Sequence, residues 1–252
     1  MRGLITLHWV ILASYFCLSC GYALKTFCPV LSGTIESADS NSDNNKICRP
    51  EKNDDFNNLI CDGNFSIWSP GNLPNSIQSL KINGTKLERF PACSFFSFSI
   101  ETIIIEENLI LNEIDQDTFV GLKNVKKLII RKNPKLDIQN LFKVLRDLNQ
   151  LEELYLEENL IQWHEKKLFN FNEKANLDSL KIISLVGNPL KNISVDFFRP
   201  IQKSPLQELI LQDCNIKTVE SGKHGYTSSG IEIFRSHLTP LHTIIDGLFL
   251  IS

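Results

Sequence analysis

The chain has 252 residues, 42% hydrophobic and 22% charged, with 26 Lys plus Arg against 29 Asp plus Glu, for a formal net charge of −3. With 12 Gly and 10 Pro the composition is globular, which excludes collagen-like and low-complexity chains, and beyond the N-terminus no run is long and apolar enough to span a bilayer. The near-neutral balance also argues against a dedicated nucleic-acid binder, which carries a strongly basic face.

The first element is a targeting segment over 1–23. Arg2 supplies a small positive region, Leu4 to Leu18 forms an apolar stretch of 15 residues, and Gly21-Tyr22-Ala23 offers small residues for cleavage. A spanning helix needs roughly 20 residues, so a cleaved signal is favoured over an uncleaved signal-anchor. Four of the seven cysteines (Cys17, Cys20, Cys28, Cys48) lie in the first fifth of the chain. Cys17 and Cys20 would leave with the signal, and Cys20 lacks the leading Leu of a bacterial lipidation site. The chain is therefore expected to be secreted or extracellular, with the cell surface as the alternative.

That compartment is oxidising, so nearby cysteines are expected to pair rather than ligate zinc. Cys28, Cys48, Cys61 and Cys93 are the disulfide candidates of a cap over 24–76, with three connectivities open. Within the cap, Glu36 to Lys46 is a polar run expected to form a disordered loop. Three glycosylation sequons begin at Asn64, Asn83 and Asn192 and agree with secretion.

Six repeats follow over 77–221, each of the form apolar-x-x-apolar-x-apolar-x-x-(Asn, Cys or Thr). They start at Ile77, Ile100, Val125, Leu151, Leu180 and Leu206, at spacings of 23, 25, 26, 29 and 26 residues. Spacings between about 20 and 29 residues are those of leucine-rich repeats. The alternation in Leu154-Tyr155-Leu156 predicts a short strand whose apolar side chains point one way, and stacked copies make a parallel sheet lining the inside of a curve. At the ninth position, Asn108, Asn133, Asn159 and Asn188 are expected to turn the chain out of the strand and satisfy buried backbone groups, with Thr85 and Cys214 in the end copies. The convex side, irregular or short-helical, carries apolar anchors: Ile114 and Phe119, Ile138 and Phe142, Phe169, Ile193 and Phe197. No repeat buries its own core, so the units stand only as a stack. The fold class is an α/β repeat solenoid.

The order Cys28-Pro29, Cys48, Cys61-Asp62-Gly63, Leu73-Pro74 and then the first repeat resembles the N-terminal cap of extracellular leucine-rich-repeat proteins. That family includes Toll-like receptor ectodomains and secreted or cell-surface adhesion modules, and the resemblance runs from Cys28 to about Val219. Two features depart from it. The Cys28 to Cys48 spacing is long, and the last repeat is not followed by a cysteine cluster. The tail over 222–252 shows no ladder Asn and no repeat spacing. It is expected to be a makeshift cap or the truncated end of a longer receptor, and only the latter would bring a membrane attachment.

No catalytic signature occurs in the chain: there is no His-Glu-x-x-His, Gly-x-Ser-x-Gly, phosphate loop or dinucleotide fingerprint. His237, His242 and Asp246 are close in sequence but lie on an irregular segment, and Cys214 sits at a ladder position without an activating base. No enzyme, metal or cofactor role is assigned.

Function is placed on the sheet face. The second strand position reads Gln78, Glu101, Lys126, Glu152, Lys181, Gln207, and the seventh reads Asn83, Glu106, Arg131, Glu157, Val186, Gln212. Glu107, Lys132 and Glu158 add the eighth. Opposite charges on neighbouring strands, about 4.8 Å apart, are expected to pair laterally. The central position reads Lys81, Ile104, Ile129, Tyr155, Ser184, Ile210, an outward apolar stripe rimmed by charge. Ile104, Ile129, Tyr155 and Ile210, with Arg131 and Glu157, are the candidate partner-binding residues for a protein ligand. The expected function is non-catalytic protein binding. The alternatives are a Toll-like or adhesion receptor ectodomain, and an inhibitor or non-catalytic subunit of a secreted enzyme.

Overall fold

The computed structural model describes residues 48–51, 57–68, 73–74, 76–96, 98–122, 124–136, 141–162, 177–194, 204–220 and 232–233. All of these fall in one compact unit, Asp39–Ser252. The expected signal segment, Cys28, the polar run and most of the tail lie outside the described residues, as do the anchors Ile138, Phe169 and Phe197.

The strands follow the repeat. In chain order they are β1 (Cys48–Pro50), β2 (Asn58–Asp62), β3 (Ser76–Asn83), β4 (Arg89–Phe90), β5 (Ser99–Glu106), β6 (Glu113–Ile114) and β7 (Lys127–Arg131). They continue as β8 (Glu153–Glu157), β9 (Ile182–Ser184), β10 (Asn192–Ser194), β11 (Glu208–Ile210), β12 (Thr218–Glu220) and β13 (Glu232–Ile233). Among the described residues nine strands form one sheet in the order β1-β2-β3-β5-β7-β8-β9-β11-β13. All its pairings are parallel except β1 with β2. Two small parallel ladders, β4 with β6 and β10 with β12, lie on the return half of the repeats, and Leu141–Val144 with Leu145–Asp147 forms a short helical segment. The fold is a leucine-rich-repeat solenoid, as the periodicity predicts.

The first, fourth and sixth positions of every repeat are buried, from Ile77, Leu80 and Ile82 through to Leu206, Leu209 and Leu211. Each such side chain contributes about 1.5–3 kcal/mol when removed from water. Beneath them the ladder residues are almost fully buried and bridge consecutive turns. Asn108 Oδ1 accepts from Thr85 N at 2.9 Å, Asn133 Oδ1 from Asn108 N at 3.1 Å, Asn159 Oδ1 from Asn133 N at 3.0 Å and Asn188 Oδ1 from Asn159 N at 3.0 Å. The amide of each donates back to strand carbonyls, Asn133 Nδ2 reaching Ile105 O at 3.0 Å and Arg131 O at 2.8 Å. A parallel stack otherwise leaves these turn groups without partners, and each Asn satisfies both kinds at once.

The residue before each ladder position is left-handed in all six repeats: Gly84, Glu107, Lys132, Glu158, Gly187 and Asp213 have φ between 54° and 71°. This sharp exit swings the ninth side chain inward. Glycine relieves crowding at Gly187, where a Cβ would stand 2.8 Å from Glu158 Cγ in addition to the φ of 71°, so a larger residue there must displace the Glu158 side chain.

Three features go beyond the sequence reading. The cap joins the sheet: β2 pairs with β3 in parallel and begins it, and the β1–β2 hairpin closes it with a Cys48–Cys61 disulfide and an Arg49–Asp62 ion pair at 2.6 Å. The tail does not lack the repeat entirely, because β13 pairs with β11, Glu208 opposite Glu232 and Leu209 opposite Ile233, one repeat length further on. Strand pairing needs backbone groups but no ladder Asn, so this copy escaped the template. Finally, an aromatic cluster outside the template fills the first turns. Trp68 packs on Phe90 and Phe95 at 5.4 and 5.3 Å between ring centroids, and Phe95 stacks on Phe119 at 5.6 Å.

Candidate functional site

The outward side chains of the sheet derive their alignment from strict register. Lys81 lies opposite Ile104, Ile104 opposite Ile129, Ile129 opposite Tyr155, Tyr155 opposite Ser184 and Ser184 opposite Ile210. Five of the six candidate partner-binding residues, Ile104, Ile129, Tyr155, Arg131 and Glu157, share the face of β5, β7 and β8. Ile210 lies two strands further on.

The stripe is less open than the sequence reading holds. Ile104, Ile129, Tyr155 and Ile210 are half-buried and Ser184 is fully buried. Lys127 Nζ reaches Glu153 at 2.7 Å and sits 4.7 Å above the centre of the Tyr155 ring. Tyr155 donates its hydroxyl to Glu153 Oε2 at 3.0 Å. The ring is thereby held in one orientation before any partner arrives. Burial, reinforced by Glu153 and the nearby Glu208 and Glu157, pushes the Tyr155 hydroxyl up to about 12. Glu153 is held below its ordinary value by the Lys127 hydrogen bond, against burial, and by that of Tyr155.

The lateral pairing expected at the second, seventh and eighth positions is present. Lys126 meets Glu101 at 3.8 Å, Lys181 meets Glu152 at 2.6 Å and Lys132 meets Glu107 at 3.4 Å. Glu106 departs from the expected exposed rim: it is buried, and both Lys81 and Arg131 reach it at 2.6 Å. Burial raises its pKa, but the hydrogen bonds and charges of Lys81 and Arg131 outweigh this and hold the carboxyl below its ordinary 4.5. A carboxylate stabilised in the folded state favours folding above its unfolded pKa and loses that contribution as pH falls through the carboxylate range. Glu106→Gln is therefore expected to be less stable than the parent at neutral pH, and the gap is expected to close below about pH 4.5. Urea titrations of both chains at a series of pH values check this.

Several outward residues were missed by the sequence reading. The third-position row of Lys127, Glu153 and Glu208 lies against the stripe, and its signal was the same alternation used for the second row. Leu109 and Leu160, directly after ladder Asn residues, are 63% and 55% exposed and flank the exposed Pro134. Apolar residues at the tenth position were indistinguishable from core in a sequence scan.

The remaining candidates fall as follows. Cys48 and Cys61 are paired and Cys93 is also in a disulfide, while Cys28 lies outside the described residues. Cys214 is a buried free thiol directed at Leu185 O at 3.1 Å, and burial pushes it up to about 11, so it is a ladder residue rather than a nucleophile. Asn64 is exposed. Asn83 is half-buried, and its sequon Thr85 is buried with its hydroxyl on Asn108 Oδ1 at 2.7 Å. The side chain of Asn192, on β10, lies outside the described residues, as do His237, His242 and Asp246. Among the described residues no three His, Cys, Asp or Glu side chains are grouped to hold a metal.

Residues 98–161, which carry β5 to β8 and most of the candidate face, match the leucine-rich repeat family model. None of the curated proteins compared with the chain matches it. The matched segment, the stacked register and the Asn ladder agree on the leucine-rich-repeat fold, an architecture that suggests a protein–protein interaction module.

Proposed function

We propose that the chain is an extracellular, glycosylated leucine-rich-repeat module that binds another protein, without catalysis, through the outward face of its sheet. The observation that carries this reading is the aligned stripe Ile104–Ile129–Tyr155, rimmed by paired charges, with the Tyr155 ring already fixed by Glu153 and Lys127. Aromatic anchors surrounded by a polar rim are the usual centres of binding energy, and a pre-ordered ring avoids the cost of immobilising it on docking. The disulfides at Cys48–Cys61 and Cys93 support an oxidising compartment, and the exposed Asn64 is the freest glycan acceptor. The cap likeness to Toll-like receptor ectodomains and adhesion modules supports the same setting.

The test is affinity capture from the secreting tissue with the parent chain and with a Tyr155→Ser/Ile129→Ser variant. Both residues are half-buried and outward, so the variant should remain folded. A hot-spot pair of this kind is expected to weaken capture at least about tenfold to a hundredfold, or roughly 1.4–2.7 kcal/mol. Undiminished capture by the folded variant would refute the reading.

A further inference from the structure

The charges of the outward face are not evenly matched along the stack. Among the described residues, the cations on it are already engaged: Lys81 and Arg131 on Glu106, Lys126 on Glu101, Lys127 on Glu153, Lys132 on Glu107 and Lys181 on Glu152. Among the same residues Glu157, Glu158, Glu208 and Asp213 are in no ion pair, and all four lie from β8 onward. The first repeats therefore present a neutralised surface and the later ones an acidic surface.

The geometry places one of these acids at the centre of the stripe. Ser184, with a short side chain, stands in register between Tyr155 and Ile210 and donates its hydroxyl to Glu157 Oε1 at 2.6 Å. That bond draws the Glu157 carboxylate over the low point of the row, between an aromatic ring and an aliphatic side chain. Ile182 and Val186, also half-buried, continue the apolar surface along β9 and the turn after it. Glu208 stands on β11 opposite Ile182. Glu153 beside the Tyr155 hydroxyl is neutralised by Lys127, whereas Glu157 and Glu208, which also help to push that hydroxyl up, are in no ion pair.

We infer that this half of the face docks a protein segment bearing a Lys or Arg side chain, whose head meets Glu157 and Glu208 while its aliphatic stem lies along Tyr155 and Ile210. A long basic side chain joins an apolar stem to a charged head, and this surface offers an apolar row with unpaired carboxylates beside it. Opposite-sign complementarity also raises the encounter rate and rejects acidic competitors. The inference rests on the sheet-face reading and adds the chemistry of the partner.

A random-dodecapeptide phage library panned on the full chain, secreted from a eukaryotic host, tests it. Enriched peptides are expected to carry a Lys/Arg excess over the starting library. The leading synthetic peptide should bind about tenfold more weakly to a Glu157→Gln/Glu208→Gln variant, in which the side-chain amide oxygen on β8 still accepts from Ser184. Raising ionic strength from about 0.15 M to about 1 M, which shortens the Debye length from about 8 Å to about 3 Å, should weaken parent binding as well. Glu88→Gln, at an exposed acid before β4, should leave binding unchanged and so controls for net charge. No enriched peptide, enrichment without basic excess, or full affinity in the double Gln variant would overturn the inference. If binding ignores the Gln variant yet is lost on Tyr155→Ser, the charge inference falls and the sheet-face reading stands. Indifference to both variants removes the two together.

Discussion

Replacing Asn133 by Ala is expected to lower the unfolding free energy by about 3–5 kcal/mol, a large share of the 5–15 kcal/mol typical of a domain. Asn133 is fully buried and its side chain makes five hydrogen bonds: it donates to Ile105 O, Arg131 O and Asn159 Oδ1 and accepts from the backbone and side-chain nitrogens of Asn108. Alanine deletes all five bonds, leaving the buried Asn108 N–H without its acceptor and two strand carbonyls short of a donor, of which Arg131 O still accepts from Glu107 N at 3.2 Å. Each buried unsatisfied group costs about 1–3 kcal/mol, and the second lone pairs of the carbonyls soften the total. Because a solenoid is coupled only through neighbouring turns, a central loss also uncouples the two ends. Urea unfolding followed by circular dichroism should show both the lower midpoint and a broadened transition. Cys214→Ala, which removes the weak thiol contacts to Leu185 O and Gln212 O at the far end of the ladder, should cost only about 1 kcal/mol.

Phe95→Ala is expected to cost about 3–5 kcal/mol as well, through a cavity rather than through lost hydrogen bonds. The ring is fully buried and contacts Trp68, Phe90 and Phe119 at centroid separations of 5.3, 5.8 and 5.6 Å. Its partners come from the cap, the first repeat and the second, so no single segment can collapse into the space left behind. The adjacent Phe96 is 42% exposed, and its substitution by Ala should cost less than about 1 kcal/mol. Thermal unfolding of the two single variants provides the comparison within one backbone environment.

The contrast between Asn133 and Phe95 shows what the sequence could convey. The ladder was legible because its chemistry is obligatory: only a short side chain that both donates and accepts can serve a turn between two parallel strands, so Asn recurs at fixed spacing. Register across the face followed from the same spacing, and Tyr155 falls opposite Ile129 as the repeats demand. The aromatic cluster obeys no such template. Trp68 lies before the first repeat and Phe95 between strands, and any large apolar side chain reaching that volume would have served. The left-handed eighth position was visible at Gly84 and Gly187 but masked by Glu107, Lys132, Glu158 and Asp213, which adopt it because the stack requires the turn.

The candidate face was legible in position but not in depth. Alternation identifies which side chains point outward. It does not report how far Lys127 leans across the Tyr155 ring, or that Glu106 is enclosed by Lys81 and Arg131. Both depend on side-chain length across neighbouring strands. The uneven distribution of unpaired acids was hidden for the same reason, since total charge counts pairs and single charges alike. The strand at Glu232–Ile233 escaped because backbone pairing needs no side-chain signature.

Recognition through the sheet face is decided by comparing the partners captured by the parent chain and by the folded Tyr155→Ser/Ile129→Ser variant, quantified by mass spectrometry with circular dichroism as the folding control. A stoichiometric protein partner is expected on the parent chain, with at least a tenfold loss on the variant, or roughly 1.4 kcal/mol. Equal capture by the two chains would refute the sheet-face site and move the binding surface elsewhere on the solenoid.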